Sequence, residues 1–104
     1  MKVEFNNEEL EVVFEKYADN DRTAIQLVNE DGMLYATATV NLPDIELEED
    51  VVAIKNYSEN KGMLKALMEA EIIDGIVGQV PQGYVLIPLC RLSEKVLEDD
   101  NYEK

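Results

Sequence analysis

The sequence predicts an α+β fold: an antiparallel meander sheet of five to six strands with one amphipathic helix packed on one face. Three observations carry this expectation. Apolar and polar residues alternate with a period of two from Val3 to Phe14 and again from Thr23 to Val40. Short turn signals, Asn6-Asn7 and Glu30-Asp31-Gly32, interrupt the alternation, as hairpins require. One segment, Met63, Leu64, Leu67 and Met68, changes to the three- and four-residue spacing of a helix.

Taken in order, Val3 and Phe5 alternate with Lys2 and Glu4 in a first strand. Leu10, Val12 and Phe14 alternate with Glu9, Glu11, Val13 and Glu15 in a second, paired to the first across Asn6-Asn7. Ala18 to Asp21 is a loop. Thr23 to Asn29 carries Ile25 and Leu27 on one face and pairs across the glycine-containing turn with Met33 to Val40. That second partner places Leu34, Ala36, Ala38 and Val40 on one face, with Tyr35, Thr37 and Thr39 on the other. Pro43 stops it, because proline cannot donate to a ladder. Val51 to Ile54 is a short apolar strand. Ser58 is the expected helix N-cap, with Glu59 in the first turn. Gly62 sits inside the expected helix, at a cost of up to ~1 kcal/mol against alanine. Gly78, Pro81 and Gly83 mark a loop, and Tyr84 to Leu92 forms a last strand, with Pro88 suggesting an edge or a bulge. The expected organisation is one α+β domain over residues 1–92 and a polar acidic tail over 93–104, frayed or weakly helical.

The chain has 104 residues, 23 acidic and 9 basic, so its formal net charge is −14, and it has no histidine. Hydrophobic residues make up 46% of it, enough for a packed core. The acidity argues against direct contact with nucleic acid, whose phosphates need Lys and Arg, and against anionic membrane surfaces. No stretch approaches the ~20 apolar residues of a membrane span, and Met1-Lys2-Val3-Glu4 leads into no signal-peptide core. The single cysteine, Cys90, fits a reducing cytoplasm. It lies in an apolar run with no base to hold a thiolate, so it is expected to pack in the core.

Enzymatic motifs find little footing. Asp19, Asp21, Thr23 and Glu30 echo calcium-loop positions 1, 3, 5 and 12, but Ala24 stands where the turn glycine belongs. One cysteine and no histidine cannot build a standard zinc site. Nothing singles out a carboxylate pair for acid–base work, nucleophilic triads lack their histidine, and no phosphate-cradling glycine loop is present. Lys55, Lys61 and Lys65 read as partners for Glu59, Glu69 and Glu71. Neither a catalytic residue, a cofactor nor a metal is expected.

The acidic surface is the remaining feature. The segments from Val3 to Glu15 and from Asp44 to Val52 hold five carboxylates each and no cation. Glu9, Glu11 and Glu15 share a strand face, and Glu46, Glu48 and Asp50 have the same two-residue spacing. In an extended chain that spacing is about 6.8 Å, of the order of the separation of phosphates along a nucleic acid. Such a row either serves solubility or faces a basic partner.

Two stretches also carry a resemblance. Thr23-Ala24-Ile25-Gln26-Leu27-Val28 with Glu30-Asp31-Gly32, and Tyr35-Ala36-Thr37-Ala38-Thr39-Val40-Asn41-Leu42-Pro43, resemble the central motif of a family of short acidic proteins of unknown function. Its members are carried by phages, plasmids and conjugative elements of Gram-positive gut bacteria. Asn-Leu-Pro after a Thr-Ala-Thr-Val strand is the most specific piece. The likeness continues through Val51 to Asn56, Gly83-Tyr84 and Ile87-Pro88 to Leu92, about 80 residues in all, roughly one domain. The chain departs at Gly62-Met63-Leu64 and Ile72-Ile73-Asp74-Gly75, where relatives carry a Trp and an Asn-Gly-Leu-Gly-like turn. The resemblance brings no catalytic residues.

What it implies is accessory cargo of mobile DNA, a setting in which small acidic proteins often block the basic channels of host defence nucleases. The expected function is therefore a non-enzymatic protein that binds a basic protein surface, as an anti-CRISPR or anti-restriction inhibitor acting by nucleic-acid mimicry. Glu9, Glu11, Glu15, Asp44, Glu46, Glu48, Glu49 and Asp50 would be its partner-binding residues. The rival expectation is a structural or regulatory interaction module, monomeric or homodimeric, using the sheet edge around Pro88 or an apolar face including Tyr35.

Overall fold

Two strands, β1 (Lys2–Phe5) and β2 (Glu8–Lys16), open the fold as an antiparallel hairpin with Val3 opposite Leu10. Asn6 and Asn7 both have positive φ, 53° and 64°, the backbone of a type I′ turn, which asparagine tolerates better than most residues. The structure is a computed structural model that describes residues 1–99 and Tyr102. β3 (Thr23–Val28) pairs with β2 and then with β4 (Leu34–Thr37). The turn between them is organised by Asn29, whose Oδ1 accepts the N–H groups of Asp31 at 2.9 Å and Met33 at 3.0 Å.

β4 is shorter than the expected Met33 to Val40, and the reason lies at Ala38. A residue in a regular strand sends its N–H and C=O to the same side. Ala38 instead donates to the Ile25 carbonyl and accepts from the Lys55 N–H, so its two groups serve different partners. Alternation fails there: Ala38 and Thr39 are both buried, while Leu34 and Tyr35 are both exposed. Buried Thr39 is satisfied, its hydroxyl accepting the Ile25 N–H at 3.2 Å and lying 2.9 Å from the Tyr17 hydroxyl.

The α+β class holds, but the single meander does not. β5 (Val51–Ala53), β6 (Ile73–Gln82) and β7 (Val85–Leu92) form a second sheet in the order β5-β7-β6, beside the four-stranded sheet β1-β2-β3-β4. A single bridge, Thr39 to Ile54, joins the two. Gly78 and Pro81, expected to mark a loop, lie within β6, the longest strand among the described residues. β6 is paired on one side only, so Pro81 is tolerated there, and register shifts near Gly75 and Gly78 mark bulges. Pro88 lies in the central strand, not at an edge. Its carbonyl accepts the Ile54 N–H just past the end of β5, where the ladder on that side stops.

The helix begins later than expected. Ser58 opens a 3-10 turn (Ser58–Asn60) with φ 54° rather than capping the helix, and Gly62 at φ 93° precedes α1 (Met63–Glu69). Only glycine enters that conformation without strain, which explains the residue that seemed costly inside a helix. Asn56 Oδ1 takes the free Leu64 N–H at 2.8 Å. α1 buries Met63 and Leu67 against the core, with Leu64, Ala66 and Ala70 at the margin, while Met68 is 40% exposed.

One core cluster joins Val3, Leu10, Ile25, Leu27, Ile54, Leu67, Cys90 and Leu92 under the helix. A second, Leu42, Ala53 and Ile87, forms where residues 40–45 fold over the opposite face of the small sheet. The small sheet is therefore covered on both faces, which is why Val51 to Ile54 and Val85 to Cys90 read as apolar runs without alternation.

After β7, Ser93 caps α2 (Glu94–Leu97), its hydroxyl accepting the Val96 N–H at 3.3 Å. Val96 and Tyr102 are buried in the main cluster, and the Tyr102 ring meets Phe14 edge-on at 5.4 Å. Residues 100, 101, 103 and 104 of the expected polar tail lie outside the described residues.

Candidate acidic interaction surfaces

β2 places Glu9, Glu11 and Glu15 on its solvent side because Leu10 and Val12 are drawn into the core. Glu9 meets Lys2 at 3.2 Å, and Glu11 meets the N-terminal ammonium at 3.3 Å. Glu15 has no ion pair among the described residues. The register puts Glu4 directly opposite Glu9, a like-charge pair that costs the sheet stability. Glu11 lies opposite Val28, so the turn after β3 comes up beside it. Glu8, Glu9, Glu11, Glu30 and Asp31 thus border a groove of about 450 Å³ whose one cationic side chain is Lys2. Glu8, Glu30 and Asp31 were not among the residues expected from the sequence. The pairing of the second and third strands was the signal that would have added them.

The segment from Asp44 to Asp50 is not a strand. It is an irregular connection in which Asp44, Glu46, Glu48 and Glu49 are exposed while Ile45, Leu47 and Asp50 turn partly inward. Two arginines hold it. Arg22, just before β3, donates from Nη1 to the Leu42 carbonyl at 2.5 Å and from Nη2 to the Ile45 carbonyl. Arg91 of β7 donates from Nη1 to both Asp50 oxygens at 2.7 Å and to Glu48 Oε2 at 3.3 Å. Asp50 first, then Glu48, holds the Arg91 guanidinium above its ordinary value. At the start of the loop Asn41 donates to Asp19 at 2.9 Å and accepts from Asn20 at 3.0 Å. These are the only two arginines in the sequence, and both are committed to one loop.

The structure therefore separates the expected residues into two groups. Glu9 and Glu11 lie at the end of β2 beside the β3–β4 turn, away from the connection that joins β2 to β3. Glu48, Glu49 and Asp50 lie near the Lys16–Thr23 end of the β2–β3 ladder, around a depression of about 730 Å³ shared with Lys16, Asp21, Arg22 and Tyr102. Five residues of strand separate Glu11 from Lys16, about 17 Å. Within the loop, Glu48 and Asp50 share the one positive charge of Arg91, whereas Asp44, Glu46 and Glu49 have no cation partner among the described residues.

Other expectations resolve simply. Lys55 binds Glu59 and Lys65 meets Glu69 at 3.7 Å, while Lys61 makes no ion pair among the described residues. The hydrogen bond between Lys55 and Glu59 raises the lysine and lowers the carboxyl from their ordinary values. Cys90 is fully buried, and burial pushes its thiol up to about 11. The calcium-loop echo is dismantled by β3: Asp19 and Asp21 precede the strand, Glu30 follows it, and the Thr23 hydroxyl faces Tyr102 at 3.3 Å. Among the described residues no group of His, Cys, Asp and Glu is placed to hold a metal ion, and no helix is long and apolar enough to cross a membrane. No protein-family model matches the chain, nor does any curated protein or solved structure.

Proposed function

We propose that this chain is a non-enzymatic accessory protein of a mobile element that binds a basic protein surface, presenting carboxylates where a nucleic acid would present phosphates. One observation carries the reading: Asp44, Glu46 and Glu49 project without cation partners from a loop held in place by Arg22 and Arg91. An array fixed before binding loses little conformational freedom on capture, and like charges held together favour a cationic partner over a second anion. A host nuclease with a basic nucleic-acid channel, a CRISPR effector or restriction enzyme, is the partner of this chemistry. The β2 group of Glu9, Glu11 and Glu15 offers a second acidic face to the same class of partner.

The test is competition. A CRISPR effector nuclease and a restriction endonuclease are each loaded with labelled DNA, and the protein is titrated in at low and high salt. Displacement that weakens with salt, and is lost when Asp44, Glu46 and Glu49 become lysine, supports the reading. DNA occupancy that stays unchanged at low salt, or displacement indifferent to those substitutions, overturns it. The rival reading, an interaction module without inhibitory activity, is favoured by a different feature, the exposed apolar side chains of the β6–β7 hairpin.

A further inference from the structure

The four-stranded sheet has a covered face and an open one. Val3, Leu10, Val12, Ile25 and Leu27 carry its inner face into the main core. The register fixes what stands on the outer face. Lys2, Glu11, Val28 and Leu34 lie opposite one another in a line across all four strands. The next line along holds Val13 opposite Gln26, and the one beyond it Glu15 opposite Ala24. On the other side of the first line stands Glu4 opposite Glu9. Leu34 is 58% exposed, while Val13 and Val28 are half-buried without joining either core cluster among the described residues. These three make a diagonal apolar stripe with carboxylates on both sides. Glu11 borders it on one flank, beside Glu30 and Asp31 of the β3–β4 turn, and Glu15 borders it on the other.

We infer that this face receives an amphipathic helix of the basic partner, with its apolar residues on the stripe and its lysines or arginines on the glutamates to either side. The inference rests on the proposed basic partner and names the element that partner offers. Charge selects the occupant. Any chain that covers Val13 must also dry Glu11 and Glu15, two residues before and after it on the same strand face. A neutral surface would leave those carboxylates covered without a counter-charge, and a second copy would oppose glutamate to glutamate. A cationic surface without apolar residues would gain nothing at Leu34, the most exposed part of the stripe. Lys2 and the N-terminal ammonium meet Glu9 and Glu11, but Glu4 and Glu15 make no ion pair among the described residues, so the face keeps an acidic excess.

Dimensions agree with a helix. Val13 and Leu34 are two strands and one line apart, about 12 Å. Helix residues at i, i+4 and i+7 share one face and span about 10.5 Å. Glu11 and Glu15 stand about 14 Å apart across the stripe. A helix is about 10–12 Å wide with its side chains, so long cationic side chains on its two flanks reach both.

The probe is a labelled alanine-based peptide of about 14 residues, with leucine at i, i+4 and i+7 and arginine on both flanks. Its control has the same composition with the leucines dispersed around the helix. Fluorescence anisotropy and peptide circular dichroism are read at about 50 mM and about 300 mM salt. The patterned peptide is expected to bind about tenfold tighter than the control and to gain helicity on binding. Leu34→Thr and Val13→Thr keep strand propensity and should each weaken it about threefold to tenfold, with the salt dependence intact. Leu34 is exposed, so that variant keeps its melting curve. Glu11→Gln with Glu15→Gln should weaken binding about tenfold and flatten the salt dependence. Asp44→Asn with Glu49→Gln, an equal charge change in the loop, should have the smaller effect. No binding at low salt, equal affinity for the two peptides, no gain in helicity, or face variants that bind like the wild type overturns the inference. The DNA competition contains no peptide, so a failure of nucleic-acid mimicry shows there and a failure of the helix site shows here.

Discussion

Leu67→Ala measures how α1 is held. The helix has seven residues, about two turns, and a helix of that length does not persist alone in water. Its stability must come from the two side chains it buries completely, Met63 and Leu67. Truncating Leu67 removes three carbons from a fully enclosed site. At about 0.8 kcal/mol per carbon the transfer loss is ~2.4 kcal/mol. Leu67 is walled by the core cluster, so collapse is incomplete and a cavity term adds to this, giving about 3–4 kcal/mol in all. For a domain near 100 residues, each kcal/mol moves Tm by about 4–8 °C, so the melt should fall by roughly 12–30 °C. The sequence stripe treats Met68 as Leu67's equal, but Met68 is 40% exposed, so Met68→Ala should change stability by no more than about 0.5 kcal/mol. Urea titration followed by far-UV circular dichroism gives both values. Equal losses for the two variants, or a Leu67→Ala loss below about 0.5 kcal/mol, would refute this account of the packing.

Gly62→Ala forces a side chain into φ 93° and should lower stability by about 1–2 kcal/mol, although the added Cβ meets no atom. Arg22→Ala removes two charge-assisted bonds to loop carbonyls and should cost about 1.5–3 kcal/mol, with faster amide exchange confined to residues 41–47. For Cys90, whose thiol is raised to about 11, the folded state resists ionisation, so unfolding gains as the unfolded thiol ionises. Stability should be full below about pH 9 and fall as pH rises toward 11; a wild-type pH profile over that range no steeper than that of Cys90→Ala would contradict this. Reversing Asp44, Glu46 and Glu49 to lysine should abolish capture of a basic nuclease, whereas reversing Glu69, Glu71 and Glu98, an equal charge change, should leave most of it.

Sequence periodicity found both hairpins of the large sheet because β1 and β2 keep one apolar and one wet face, and Asn6-Asn7 and Asn29 to Gly32 are strong local turn signals. It failed where the environment is two-sided. β6 and β7 belong to a sheet covered on both faces near its centre and bare near its tip, so no alternation survives. The glycines of β6 then read as loop residues when they serve bulges. The carboxylates of residues 44–50 were visible in the sequence, but their geometry was not. That geometry depends on Arg22 and Arg91, which are 69 positions apart in the chain and meet only through the fold. The enrichment of Glu8, Glu30 and Asp31 beside Glu9 likewise needed the β2–β3 register.

The commitment of Arg22 and Arg91 to one loop limits what this molecule can say to a partner. Guanidinium is the side chain that grips carboxylate or phosphate with a planar fork, and this chain has none to spare. Its remaining side-chain cations are ammonium groups, compact point charges without that directional grip. The surface is thereby made one-directional: it accepts hydrogen bonds through its carboxylates far more readily than it donates them. Recognition must be written in the partner's donors, and a substitution that freed either arginine would change not only the loop but the polarity of the conversation.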